Sequence, residues 1–197
     1  MPKVLIAYGS RYGSTNEITQ VIVGILETKG LSVDLLDLVS RPMGDWPTLT
    51  SYAGVIVGSG IKLGQWVKEV KLFLVSKKNE LNNANGRVFG LFVSAGNVST
   101  IESSINFARE EYLEATIQGL GLSSVDFYEA FGGRLDLSNS SKLNEREKKY
   151  VQSVFNKRGE IQFNSQVSDS RDWNDVLTFA TAFAERLLVN GGHNYKS

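Results

Sequence analysis

Glycine and hydroxyl residues crowd into one short stretch near the amino end, Gly9, Ser10, Arg11, Tyr12, Gly13, Ser14 and Thr15. Ser10, Ser14 and Thr15 offer hydroxyl donors, Gly13 lets the backbone pass close to a phosphate-sized group, and Arg11 adds a positive charge. The stretch lies between an apolar run and a helical pattern. At the start of a helix, unpaired N–H groups and the helix dipole favour an anion. No lysine precedes Ser14 and Thr15, which excludes a Walker A loop for nucleoside triphosphates, and the dinucleotide glycine spacing is absent here. What fits is a single terminal phosphate; the plain alternative is that Ser14 or Thr15 only caps the helix.

Two later stretches share the small-residue character. "GSGIKLGQW" brings Ser59, Gly60, Ile61, Lys62, Leu63, Gly64 and Trp66, and "SAGNVST" brings Ser94, Ala95, Gly96 and Asn97. Exposed amides and small residues suit the close approach of backbone to a flat polar ring. Trp66 either stacks on such a ring or packs on its own helix and the sheet. Gly58, Gly60 and Gly64 fall one residue out of the dinucleotide fingerprint. No general acid or base is apparent, and the single histidine, His193, falls in the polar segment after 189 that reads as a solvated tail. No catalytic side chain and no metal site are expected.

The elements that must position these loops follow from the pattern of apolar residues. Five β-branched, apolar runs, "KVLIAY", "LSVDLLDL", "YAGVIVGSG", "RVFGLFVSAG" and "SSVDFYEAF", have strand length, and helical periodicity separates them. Ile18, Val21, Ile22, Ile25 and Leu26 mark one helix that stops at Gly30. Others are expected over Gln65–Ser76, Ile101–Gln118 and Asp172–Leu188. Strands apolar on both faces that alternate with helices predict a parallel, doubly wound α/β sheet. In such a sheet the loops after strands one, three and four converge at the carboxyl edge, where ligands bind. Residues 1–189 read as one domain. An insertion at about 132–171, with a helix near Leu143–Asn156, separates the fifth strand from the last helix, and a connection that long is more often functional than idle.

The 197 residues suffice for one good core. Basic and acidic residues balance at 21 each, so no global field points to nucleic acid. Cysteine is absent, which removes disulfides, thiolate metal sites and thiol nucleophiles. No stretch resembles a signal peptide or a membrane span, so a cytoplasmic location is expected, with peripheral membrane contact and homodimerisation left open. In the insertion, Lys142, Arg146, Lys148, Lys149, Lys157 and Arg158 outnumber Glu145, Glu147 and Glu160; a solvated helix face is the simple account.

"SRYGST" at Ser10–Thr15 resembles the phosphate loop of the flavodoxin-like superfamily, with tyrosine at the third position. With "GSGIKLGQW", "FGGRLD" and "DSRDW" the chain resembles the branch containing menaquinone-dependent protoporphyrinogen dehydrogenases, including the insertion before the last helix. The resemblance implies a five-stranded sheet of order 2-1-3-4-5 and noncovalent FMN. Its phosphate would sit on Ser10–Thr15, and its ring between Ser59–Gly64 and Ser94–Asn97. The flavin would then carry the redox step between a small-molecule substrate and a quinone-type acceptor. The insertion would help form the substrate side, with Arg134 a candidate contact for an anionic substrate. Electron-carrying flavodoxins are typically strongly acidic, which this chain is not, so the carrier serving a redox partner protein is the alternative. A flavin-free interaction domain is the further one. Arg134 with Asp136, Asp172 capping the last helix and Trp173 closing the core would anchor the insertion.

Overall fold

The computed structural model describes residues 1–83, 86–96, 98, 102–158 and 167–193. Five parallel strands, β1 (Lys3–Gly9), β2 (Ser32–Asp37), β3 (Gly54–Ile61), β4 (Val88–Ala95) and β5 (Phe127–Gly132), form one sheet in the order β2-β1-β3-β4-β5. This is the expected flavodoxin-like order. It reverses direction between β1 and β3, which opens a crevice at the carboxyl ends of those strands.

The strands read as continuous apolar runs because both faces are covered. Along β1, Val4 and Ile6 enter one core and Leu5 and Ala7 the other, the alternation a pleated strand imposes. The first face is covered by α1 (Ser14–Thr28) and α7 (Trp173–His193), through Ile18, Ile22 and Leu26 on one helix and Phe179, Phe183 and Leu187 on the other. Against the second face lie α2 (Lys68–Ser76), with Val70, Phe73 and Leu74, and a helical stretch carrying Ala108, Tyr112 and Leu113. Phe73, Phe89, Phe92 and Phe183 are fully buried, and each stabilises the fold by roughly 2–3 kcal/mol relative to exposure. The short α3 (Lys78–Asn82) follows α2.

Several boundaries differ from the sequence reading. The second helix begins at Lys68, because Lys62 and Gln65 pair across a tight turn and Gln65 is spent there. The third is not one α-helix: α4 (Glu102–Ala108) passes into a π-helical turn (Arg109–Glu114) and then α5 (Ala115–Leu120), while Ile101 lies outside the described residues. The last helix continues through His193, so 190–193 are helical and the proposed tail boundary falls inside α7. The insertion contains α6 (Glu145–Arg158) and an unpredicted antiparallel ribbon, β6 (Arg134–Asp136) with β7 (Val167–Asp169). Three-residue strands carry too little alternation to stand out in sequence. No described helix is long and apolar enough to cross a membrane.

Candidate cofactor site at the carboxyl edge of the sheet

The turn between β1 and α1 is organised without a side-chain cap. Gly13 is the N-cap residue at φ 104°, a left-handed conformation that glycine adopts without strain, and Ser14 and Thr15 are the first two helical residues. The simple capping role expected of either is therefore not what they do. Gly13 donates its N–H to Ser10 Oγ at 3.1 Å, and the Gly13 carbonyl accepts from Glu17 N at 3.0 Å. The backbone N–H groups of Arg11, Tyr12, Ser14, Thr15 and Asn16 have no protein partner among the described residues. Thr15 is 2% exposed, and its hydroxyl, which touches solvent, has no protein partner among the described residues. Five free donors, an orphan hydroxyl and the positive end of a 15-residue helix suit a phosphate group.

The end of β3 lies against this turn. A Cβ on Gly60 would approach Thr15 Oγ1 to 2.9 Å, so glycine permits the contact. Ser59 is fully buried, accepting from Val67 N at 3.0 Å and donating to the Gly60 carbonyl; its hydroxyl builds the loop and is not open to a ligand. Lys62 and Gln65 exchange two backbone hydrogen bonds of 3.0 and 2.9 Å around Leu63 and Gly64. Both central residues have positive φ, 52° and 74°, as a two-residue hairpin turn requires. For leucine that conformation costs roughly 1–2 kcal/mol. It leaves Leu63 57% exposed, a fixed apolar surface beside the crevice. Ile61 is partly buried against the core.

Trp66 corrects an expectation. It is 4% exposed within the core, and its indole N–H donates to the Tyr112 carbonyl at 3.0 Å, so it packs and does not present a stacking face. Arg11 is likewise engaged, donating to the Gln65 and Trp66 carbonyls at 3.3 and 2.9 Å. That bond ties the phosphate turn to the β3 loop. Of the β4 loop, Ala95 belongs to the core, Ser94 is buried, and Gly96 carries the close contact described next; Asn97 lies outside the described residues.

The insertion is stitched to these loops. Ser14 Oγ accepts from Arg134 N at 3.2 Å and lies 3.2 Å from Ser94 Oγ, which donates to the Gly132 carbonyl at 3.1 Å. The Ser14 hydroxyl therefore serves the seam, leaving its backbone N–H for an anion. Gly133 sits so close to Gly96 that a Cβ would approach Gly96 N to 2.9 Å. Ser170 Oγ lies 2.6 Å from the Val98 carbonyl and also bridges to Gly133. Arg171 pairs with Asp169 and with Glu17 on α1 at 2.6 Å, and its guanidinium lies 4.7 Å from the Trp173 ring centroid. Asp172 caps α7 through Asn174 N at 2.8 Å, as expected. Trp173, in contrast, is 42% exposed and does not close the core. Arg134 is exposed, and its backbone is fixed beside the phosphate turn.

Lys62 extends the seam on its outer side, ion-paired with Glu147 of α6 and 5.3 Å from the Tyr12 ring centroid. The hydrogen bond to Glu147, and then that to Tyr12, raises the Lys62 pKa; Lys62 in turn holds the Glu147 carboxyl below its ordinary value. Sequence reading treated the insertion's charges as a solvated face and missed this pair. The only local signal was Asn144 three residues before Glu147, the spacing of a capping box.

A family model described as a flavodoxin domain matches residues 5–164. Among solved structures, the rubredoxin:oxygen oxidoreductase of Desulfovibrio gigas aligns over 95% of this chain with TM-score 0.56 and 18% identity, and the chain spans 36% of its length. A flavodoxin of Pseudomonas aeruginosa aligns over 94% of this chain and 99% of its own, with TM-score 0.55 and 14% identity. Oxidised flavodoxin 1 of Bacillus cereus aligns over 93% and 97%, with TM-score 0.51 and 15% identity. At such identities these likenesses speak to the fold. No curated protein matches the sequence significantly. With the strand order, the anion-ready turn and the family match in agreement, the chain belongs to the flavodoxin-domain family, whose cofactor is FMN and whose chemistry is flavin-based electron transfer.

Proposed function

We propose that this protein is an FMN-dependent oxidoreductase that moves electrons from a reduced small molecule to a quinone-type acceptor, in the manner of the menaquinone-dependent protoporphyrinogen dehydrogenases its motifs resemble. The observation that carries the reading is the seam. An insertion tied through Arg134 N to Ser14 stands beside the phosphate turn, so whatever reaches the cofactor passes a surface built by this chain. Zero formal net charge supports the same reading, since a carrier steered onto basic partners gains from a strongly acidic surface.

Bound FMN supplies the redox chemistry. The chain's part is to bind, orient and admit. The free N–H groups of residues 11, 12 and 14–16, with the Thr15 hydroxyl, hold the phosphate. Leu63 offers an apolar face to the ring. The exposed guanidinium of Arg134 receives an anionic substituent of the substrate. The side chains of Ser59, Trp66 and Arg11 are spent on shaping the loops, and Arg11 offers the ligand only its backbone N–H.

Purified protein loaded with FMN should oxidise a reduced porphyrinogen with a menaquinone analogue as acceptor. Turnover only with a flavodoxin reductase would replace this reading with the electron carrier. Protein that takes up no flavin would leave an interaction domain.

A further inference from the structure

Resting on the reading of this edge as an FMN site, we infer that the ion pair between Lys62 and Glu147 is a latch that retains the cofactor. The three groups concerned come from three different elements. Tyr12 belongs to the phosphate turn, Lys62 opens the hairpin turn after β3, and Glu147 lies in the first turn of α6. Lys62 Nζ bonds Glu147 Oε1 and lies over the Tyr12 ring.

The carboxylate is oriented before the lysine arrives. Asn144 Oδ1 accepts from Glu147 N at 3.0 Å, and Glu147 Oε2 accepts from Asn144 N at 3.0 Å, a reciprocal capping box at the start of α6. One carboxylate oxygen is thus committed to the helix and the other is left for Lys62. Both side chains are about three-quarters shielded, at 29% and 25% exposed. A pre-oriented, shielded pair loses less side-chain entropy on closing than a mobile surface pair, so it holds more firmly.

Its position gives it a function. The base of the insertion is fastened to the phosphate turn and the β4 loop by Ser14, Ser94 and Ser170, and by backbone packing of Gly133 on Gly96. Lys62 and Glu147 fasten it to the β3 loop. The insertion is therefore held to all three loops around the crevice. Among the described residues the base has several mutually supporting ties, whereas the outer side is held by the Lys62–Glu147 pair. Local opening begins where ties are fewest, so this pair opens first and sets how readily FMN leaves.

The full-length protein loaded with FMN is the material for the test, read by recovery of free-flavin fluorescence on dilution. E147Q is the informative variant because glutamine also serves in a capping box, so α6 keeps its cap and loses only the charge. FMN release is expected to be about fivefold faster in E147Q and at least as fast in K62M, which also loses the contact with Tyr12, and no faster in the double variant than in K62M, since the ion pair is already gone in each single variant. High salt should speed release from the wild type and leave E147Q unchanged. Release from E147Q at the wild-type rate, or additive effects of the two substitutions, would overturn the latch while leaving the cofactor site standing. Wild-type protein that binds no FMN would overturn both.

Discussion

The turn after β1 and the base of the insertion meet at Ser14, yet they handle polar groups in opposite ways. In the turn, five backbone N–H groups and the Thr15 hydroxyl have no protein partner among the described residues, at the start of a 15-residue helix. In the seam, Ser14, Ser94, Ser170 and Arg171 each use their side-chain atoms on two or more partners. Unpaired donors are costly unless something else satisfies them, so the turn reads as a cradle. Reciprocal pairing leaves nothing for a ligand, so the seam reads as a joint. One serine takes part in both, its hydroxyl in the joint and its N–H in the cradle.

Breaking the joint should have the largest effect on stability. Gly132→Ala would set a Cβ on the Ser170 carbonyl, and because backbone cannot yield like a side-chain tip, a loss of about 3 kcal/mol is expected in urea unfolding. Breaking the cradle should instead leave stability alone. Thr15→Val keeps volume and removes one donor to a charged phosphate, which should weaken FMN by about 2 kcal/mol in a fluorescence titration, with an unchanged melting temperature. Trp66→Phe separates loop-building from ligand contact: it should cost about 1 kcal/mol of stability through the lost bond to Tyr112 and leave FMN affinity unchanged.

Acid should sharpen the contrast most gently. Asp136, Glu147 and Asp169 are all held below the ordinary carboxylate range, by bonds to Ser138, Lys62 and Arg171 respectively. A lowered folded pKa contributes stability that is complete above the unfolded value and lost as pH falls through the folded one, here below about pH 4. The unpaired N–H and hydroxyl donors of the cradle do not titrate in that window. Asp34 and Glu80, away from the seam, carry the same sign, so the check is local: amide exchange in β6 and at the start of α6 should accelerate ahead of that in β1.

The sheet was legible because both of its faces are buried. Strands such as "KVLIAY" stay apolar throughout, and α1 and α7 show a single apolar stripe each, so the strands, helices and layers followed from ordinary pattern rules, whereas the strand order came from the family resemblance. The phosphate turn was legible as a place but not in its details. Which hydroxyl faces a ligand depends on partners far away in the chain, and nothing near Ser14 announces Arg134 or Ser94. Trp66 failed as a stacking residue for the same reason, its partner being Tyr112 on another helix. Trp173 was expected to close the core and so anchor the insertion; it is exposed, and the guanidinium of Arg171 lies over its ring instead. The π-helical turn at Arg109–Glu114 has no sequence signature that periodicity detects.

The central claim is that the cradle grips a phosphate and thereby FMN. Titration of flavin-free protein with FMN and with riboflavin, followed by flavin fluorescence, tests it most directly. Saturable binding of FMN at least about tenfold tighter than riboflavin is the predicted result, since hydrogen bonds to a charged phosphate are each worth about 1.5–3 kcal/mol. Riboflavin bound as tightly as FMN, or no response to either, would contradict it.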